Sequence, residues 1–343
     1  MTTLQDLGRK GYQRLGIPVS GALDPVSLVA ANVIVGNAPG TGALEIAHLG
    51  PTLLVEAESV RLAFAGGAAA VDVLPAEGAP GGRRIAPLQS VRLLRGEALR
   101  IGALAGSALG YLAVEGGFDA APVLGSQSTY VRAGLGGFEG RAVRAGDLLF
   151  LRQAQAEERA ESVLPSLDLA PPRRFRVVLG PQDDRFSERG KRTLLEAAFT
   201  VSAASDRMGM RLEGPLLEHS DGFNIVSDGI APGSIQVPGN GLPIVLLADR
   251  QTTGGYPKIA TVIAADLPAL GRLAPGAKVS FEAVSVAEAE AEHRHHAARL
   301  AALPLQVDAV RGAAVVDAAA LLGSNLVSGV VSAHDQHCEP PWN

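Results

Sequence analysis

Glycine and proline punctuate this chain so densely that long helices are largely closed to it. The 343 residues include 41 glycines and 22 prolines, the two residue types that cost a helix interior most. Between these breaks lie short apolar or alternating runs: Leu44–Leu49, Val60–Ala65, Val91–Leu94, Tyr111–Val114, Leu148–Leu151, Phe175–Leu179, Pro243–Ala248 and Val279–Val286. Their lengths are those of strands, and short strands at close spacing specify barrels or sandwiches. Aromatic residues make up only 4%, so the strand assignment rests on Val, Ile and Leu. The chain is too long for one ordinary domain, and its 47% hydrophobic content is enough for two cores. The expectation is a mainly β protein with a few short helices.

Four helices are signalled. Asp24 is an N-cap followed by Pro25, whose missing N–H costs nothing at the first helical position, and Val26–Val35 then runs to Gly36 and Asn37. Ser187 is placed to cap Glu188–Ala198, Asp266 to start a short turn through Leu270, and Ala287–Leu303 reads as a helix ending at Pro304. The polar stretch Gln153–Arg174, closing on Pro171-Pro172, reads as a linker. The expected order is therefore a first strand-rich barrel or sandwich at 1–152, a linker at 153–174, a second at 175–286 and a helical extension and tail at 287–343. Two echoes fit a duplicated plan: Leu49-Gly50-Pro51-Thr52-Leu53 with Leu212-Glu213-Gly214-Pro215-Leu216, and Ala145-Gly146-Asp147 with Pro275-Gly276-Ala277.

Several function classes are disfavoured. A formal net charge of −5 without a basic cluster argues against nucleic acid as a partner. No run of about 18 uncharged apolar residues suggests a membrane span, and the polar start Met1–Arg9 does not resemble a signal peptide. The cytoplasm is the expected compartment. The single cysteine, Cys338, permits neither an internal disulfide nor a Cys-based zinc site. His293, His295 and His296 read as a solvated helix segment, and no metal is expected. His334 and His337 read as part of a disordered or weakly docked tail rather than a metal site. There is no phosphate-binding Gly-x-x-x-x-Gly-Lys-Ser/Thr loop, no Gly-x-Ser-x-Gly elbow, and no Met-flanked biotinyl lysine.

Three segments concentrate polar chemistry. Thr3–Tyr12 continues to Pro18–Asp24 and offers Gln5, Asp6 and Arg9 among glycines. Ser205–Leu212 presents Asp206 and Arg207 after a strand-like run. The richest is Gly233–Pro238 with Pro243–Lys258, where an apolar strand delivers Asp249, Arg250, Gln251, Thr252, Thr253, Gly254, Gly255, Tyr256 and Lys258 within ten residues. Loops on rigid scaffolds carry function more often than strands do. Only Lys10, Lys191, Lys258 and Lys278 are lysines among 30 basic residues, so a lysine kept in that turn suggests a need for lysine itself.

At these residues the chain resembles the allophanate hydrolase subunit 2 family of biotin-dependent carboxyltransferase-like proteins. That family includes the C component of bacterial 5-oxoprolinase, the antagonist KipA and the carboxyltransferase part of urea amidolyase. The matching elements are Thr3-x-Gln5-Asp6-Leu7-Gly8-Arg9-x-Gly11-Tyr12, Ser20-Gly21-Ala22-x-Asp24, Ala31-Asn32 with Gly36-Asn37, Gly117, Leu124-Gly125-Ser126 with Thr129, and Gly136-Gly137. They continue with Asp206-Arg207-Met208-Gly209, Gly233–Pro238, Leu247–Lys258 and Asn325–Val330. The resemblance implies two tandem cyclophilin-like β-barrels. It also implies partners: one protein like the B component of 5-oxoprolinase (KipI-like) and one like its A component. With them the chain would open 5-oxoproline to glutamate using ATP, with Mg at the level of the complex, and would be inactive alone. The alternatives are a carboxyltransferase moving CO₂ from carboxybiotin to urea or a similar small amide, and a KipA-like regulator that binds a KipI-like partner. The residues expected to carry chemistry are Asp249, Arg250 and Lys258, with Asp206, Arg207, Gln236, Thr252, Thr253 and Tyr256 binding substrate. Relatives have a short strand before the Thr-x-Gln-Asp motif; here that strand would be missing, or the true start would lie upstream.

Overall fold

The structure, a computed structural model, describes residues 1–310. The Asn325–Val330 motif, His334, His337 and Cys338 lie outside the described residues. The N-terminal half is built from two sheets. A five-stranded sheet runs in the order Thr2–Gln5, Ala43–Ala47, Ala105–Val114, Ser59–Ala68, Ser90–Leu94. A four-stranded sheet runs Thr52–Leu54, Ala98–Ile101, Val71–Leu74, Arg83–Arg84. Leu4, Ile46, Leu62, Val73, Leu99 and Leu112 fill one core. A helix, Pro25–Ile34, packs through Leu28 and Ile34 with Ala63, Ala65 and Tyr111 in a second core. Thr2–Gln5, which carries the Thr-x-Gln part of the first motif, is a strand paired antiparallel with Ala43–Ala47.

The C-terminal half is built on an eight-stranded sheet. Its order is Lys278–Val279, Phe199–Val201, Gly209–Glu213, Ile244–Leu246, Ser234–Gln236, Lys258–Val262, Phe175–Leu179, Phe281–Ala283. The two edge strands are separated in the chain only by Ser280, so the edges must approach one another and the sheet curls into a nearly closed barrel. Closure of this kind leaves little exposed strand edge. Val177, Phe199, Ile235, Val245, Ile259 and Phe281 fill it. The described residues are thus mainly β with four α-helices, as the sequence implies.

The caps behave as their chemistry requires. Asp24 accepts from the Val26 and Ser27 N–H groups, Ser187 from Gly190, and Ser285 forms a reciprocal capping box with Glu288 at the start of the helix Val286–Ala302. Asp266 precedes the helix Leu267–Gly271 but does not cap it, because Arg176 takes its carboxylate at 2.6 Å. Leu148–Leu151 forms no strand and makes only one bridge, Leu151 with Phe118. The segment 153–174 is not free chain. Arg61, fully buried, pairs with Glu115 and Glu161 and donates to the Glu157 and Arg159 carbonyls, and Ser162–Val163 pairs with Asp308–Ala309. No helix of the described residues is long and apolar enough to cross a membrane.

Candidate functional site

The richest polar segment divides into two environments. One is a buried ionic knot. Arg207 donates from Nε and Nη2 to both oxygens of Asp249, at 2.8 and 3.2 Å, and from Nη2 to the Gly21 carbonyl at 2.7 Å; its Nη1 pairs with Glu45. Glu45 also accepts from the Tyr111 hydroxyl and from the Leu23 N–H. Glu45 and Tyr111 are cross-strand partners, so their side chains share the face of the sheet that the helix Pro25–Ile34 covers. Burial alone would lower the Arg207 pKa, but Glu45 and Asp249 outweigh it and hold the guanidinium above its ordinary value. Burial, then Glu45 and Asp24, raise the Tyr111 hydroxyl well above its ordinary range. Both Asp249 oxygens are committed to Arg207, so the knot joins residues 21–45 to the C-terminal sheet. Asp206 lies outside it and folds its own turn, accepting from the Met208 and Gly209 N–H groups at 2.8 and 3.1 Å.

The N-terminal motif is likewise turned inward. Asp6 accepts from Gly8 N–H, Gln127 N–H and the Ser126 hydroxyl, tying the first polar segment to Ser126–Thr129. A Cβ on Gly21 would lie 2.8 Å from the Gly8 nitrogen, and both glycines have positive φ. These glycines therefore bring backbone to backbone.

The second environment surrounds Lys258. Strands Ser234–Gln236 and Lys258–Val262 pair antiparallel, with Gln236 opposite Lys258 and Ile235 opposite Ala260. One residue, Ile259, is extra on the second strand. This bulge breaks the in–out alternation, so Lys258, Ile259 and Ala260 are all buried in succession. Bulges re-aim side chains in this way next to active sites. Lys258 is 1% exposed, and its Nζ donates to Asp228 Oδ2 at 3.2 Å. Gln182 accepts from the Lys258 N–H at 3.2 Å and donates to Asp228 at 3.0 Å. Gln236 accepts from Gln251 and donates to the Tyr256 carbonyl, each at 3.4 Å.

Arg250 is 2% exposed and donates to the Ile230 and Leu247 carbonyls at 3.2 and 3.3 Å. No carboxylate among the described residues pairs with it, and burial pulls its guanidinium down to about 10. Thr252, partly buried, and Thr253 and Tyr256, exposed, form the outer part of the turn. Thr253–Gly254 pairs with Asp228–Gly229.

The structure thus brings Gln236 together with Lys258, and Arg207 together with Asp249; Asp206 stands apart. Glu45, Tyr111, Gln182 and Asp228 join these groups without standing out in the sequence as site residues. The one signal available is Glu45 itself, a carboxylate inside the apolar run Ala43–Ala47. Among the described residues no group of three or more His, Cys, Asp or Glu side chains could hold a metal ion.

The family model described as carboxyltransferase domain, subdomain A and B, matches residues 15–283. The chain is 36% identical over 291 residues to the C subunit of 5-oxoprolinase from Haemophilus influenzae, covering 84% of this chain and 89% of that protein. It is 37% identical over 288 residues to the C subunit of 5-oxoprolinase from Escherichia coli, covering 84% and 90%. The solved structure of the K. lactis urea amidolyase superposes with a TM-score of 0.77 at 28% identity, covering 88% of this chain and 19% of that chain. On these matches and the two-part β architecture, the chain belongs to the family of carboxyltransferase domains, subdomain A and B.

Proposed function

We propose that this chain is the C subunit of an ATP-dependent 5-oxoprolinase, working in the cytoplasm with a B-like (KipI-like) partner and an A-like partner to open 5-oxoproline to glutamate. Coverage carries the reading: the match accounts for 89% and 90% of two 5-oxoprolinase C subunits but 19% of a urea amidolyase chain. ATP, together with Mg²⁺, would supply a phosphoryl group to the lactam oxygen within the complex and leave as ADP. The residues here fit anionic oxygen, since Lys258 and Arg250 are cations buried beside the same turn.

Lys258 is assigned to the lactam oxygen, where its point charge stabilises negative charge developing there. Gln236, opposite Lys258 in register, is assigned to the lactam N–H and carbonyl, which its carboxamide can match as acceptor and donor. Arg250, lacking a carboxylate of its own among the described residues, is assigned to the substrate carboxylate. Thr252, Thr253 and Tyr256 are assigned to the rim. Asp249, Arg207 and Asp206 are assigned to holding the turn rather than to the reaction.

A second reading, carboxyl transfer from carboxybiotin to urea or a similar amide, is favoured by the fit to the urea amidolyase structure. Reconstitution of this chain with its B-like and A-like partners discriminates the two. ADP formation should depend on 5-oxoproline and match glutamate release. Dependence on urea and a biotinylated carrier instead would replace the first reading with the second.

A further inference from the structure

A buried lysine needs something to hold and aim it, and the sequence motif around Lys258 does not supply it. The ammonium is 1% exposed, and its only hydrogen-bond partner among the described residues is Asp228, thirty positions earlier in the chain. An ammonium has three donors, and this contact uses one of them. Asp228 is 52% exposed and belongs to the two-residue strand Asp228–Gly229, which pairs with Thr253–Gly254 over the polar turn. Gln182 closes the arrangement. Its carbonyl oxygen accepts the Lys258 backbone N–H, and its amide donates to the same Asp228 oxygen that receives the ammonium. The Lys258 contact, then Gln182 and the Gly229 N–H, lower the Asp228 pKa, so its carboxylate stays ionised.

We infer that Asp228 and Gln182 are positioning residues for Lys258: they anchor its backbone and its ammonium at once, so that Nζ keeps one fixed direction toward the substrate oxygen. The inference rests on the assignment of Lys258 to the reaction centre. Three observations independent of that assignment converge on it: the bulge that turns Lys258 inward, the single carboxylate at its tip, and a carboxamide touching both ends.

The test has two arms. In the reconstituted complex, Asp228→Asn keeps size and an acceptor but removes the charge. It should lower kcat on the order of tenfold or more, as loss of alignment does, with KM little changed. Asp228→Glu should recover part of the loss, and Gln182→Ala should act in the same direction as Asp228→Asn. Wild-type kcat in Asp228→Asn overturns the inference.

The second arm needs no turnover. The chain has four lysines, so limited acetylation by acetic anhydride, read by mass spectrometry, reports Lys258 against Lys10, Lys191 and Lys278 in one sample. The contact with Asp228 keeps the amine in its buried position, shielded from the reagent. Asp228→Asn should therefore raise Lys258 acetylation several-fold relative to Lys10, and Asp228→Glu should return it. An unchanged ratio overturns the inference. If the wild-type complex opens no 5-oxoproline, the proposed reaction fails, and the acetylation ratio alone decides whether the pair holds Lys258.

Discussion

Replacing Arg207 with methionine should unfold the joint between the two halves before it touches any reacting atom. The guanidinium makes two hydrogen bonds to Asp249 and one to the Gly21 carbonyl and pairs with Glu45, and all three charged side chains are nearly inaccessible. Methionine fills the volume but leaves two carboxylates buried without their cation. Glu45 keeps the Tyr111 hydroxyl and the Leu23 N–H, so Asp249 bears the larger share of the loss. Breaking a buried pair by removing one partner costs about 3–5 kcal/mol. In a chain of this size that is on the order of 10 °C in Tm. Calorimetry of the isolated chain measures it directly. The control is the triple variant Arg207→Met, Glu45→Gln, Asp249→Asn, which carries no orphaned charge and should regain much of the lost stability, because neighbouring substitutions in one network are strongly non-additive. A wild-type Tm for Arg207→Met would refute the ionic knot. A triple variant no better than the single would show that lost packing, not stranded charge, sets the cost.

Lys258→Arg and Lys258→Ala should each cost the complex roughly a hundredfold in turnover with little change in Tm, since the broader guanidinium misplaces the charge; near-wild-type turnover for both would remove Lys258 from the site. Arg250→Met should abolish most turnover while Tm stays close to wild type, because the lost carbonyl contacts are offset by relief of a buried charge without a carboxylate partner; a collapse in Tm would make Arg250 structural. Gly254→Ala places a Cβ 2.9 Å from Gln236 Nε2 and from Ile230 Cδ1, so it should depress turnover by displacing Gln236, and unaltered kinetics would separate Gln236 from the reaction. Arg141 holds the Asp147 carboxyl at about 2, below its ordinary 3.8. A depressed carboxyl stabilises the fold above its unfolded value, and that stability is lost as pH falls through the folded one. The Tm difference between wild type and Asp147→Asn should therefore shrink between about pH 4 and pH 2, and a pH-independent difference would contradict the pairing.

Local chemistry is the legible part of this fold. Asp24-Pro25 and Ser187 announce helices because capping is a contact within one turn, whereas the Ser285 capping box emerges only in the structure. Leu44–Leu49 and Phe175–Leu179 announce strands, observed at Ala43–Ala47 and Phe175–Leu179, because apolar runs of that length bury well between turns. Leu148–Leu151 has the same composition and fails, since strand formation needs a partner and only Phe118 meets it. Asp266 has the form of a cap and loses its carboxylate to Arg176, a residue ninety positions away. The site is legible as a segment but not as a geometry. Asp249 and Lys258 sit in one polar turn, yet Arg207 and Glu45 recruit the first into the joint between the halves, while a bulge delivers the second to Gln236 and Asp228. Register, bulges and charge partners far apart in sequence decide that division, and none has a local signature.

The assignment of Lys258, Gln236 and Arg250 to the substrate is tested most directly by the crystal structure of the reconstituted complex with 5-oxoproline bound. The expected result is the lactam oxygen within hydrogen-bond distance of Lys258 Nζ, the lactam amide against the Gln236 carboxamide and the substrate carboxylate on Arg250. A substrate bound elsewhere, with Lys258 still held only by Asp228, would contradict it.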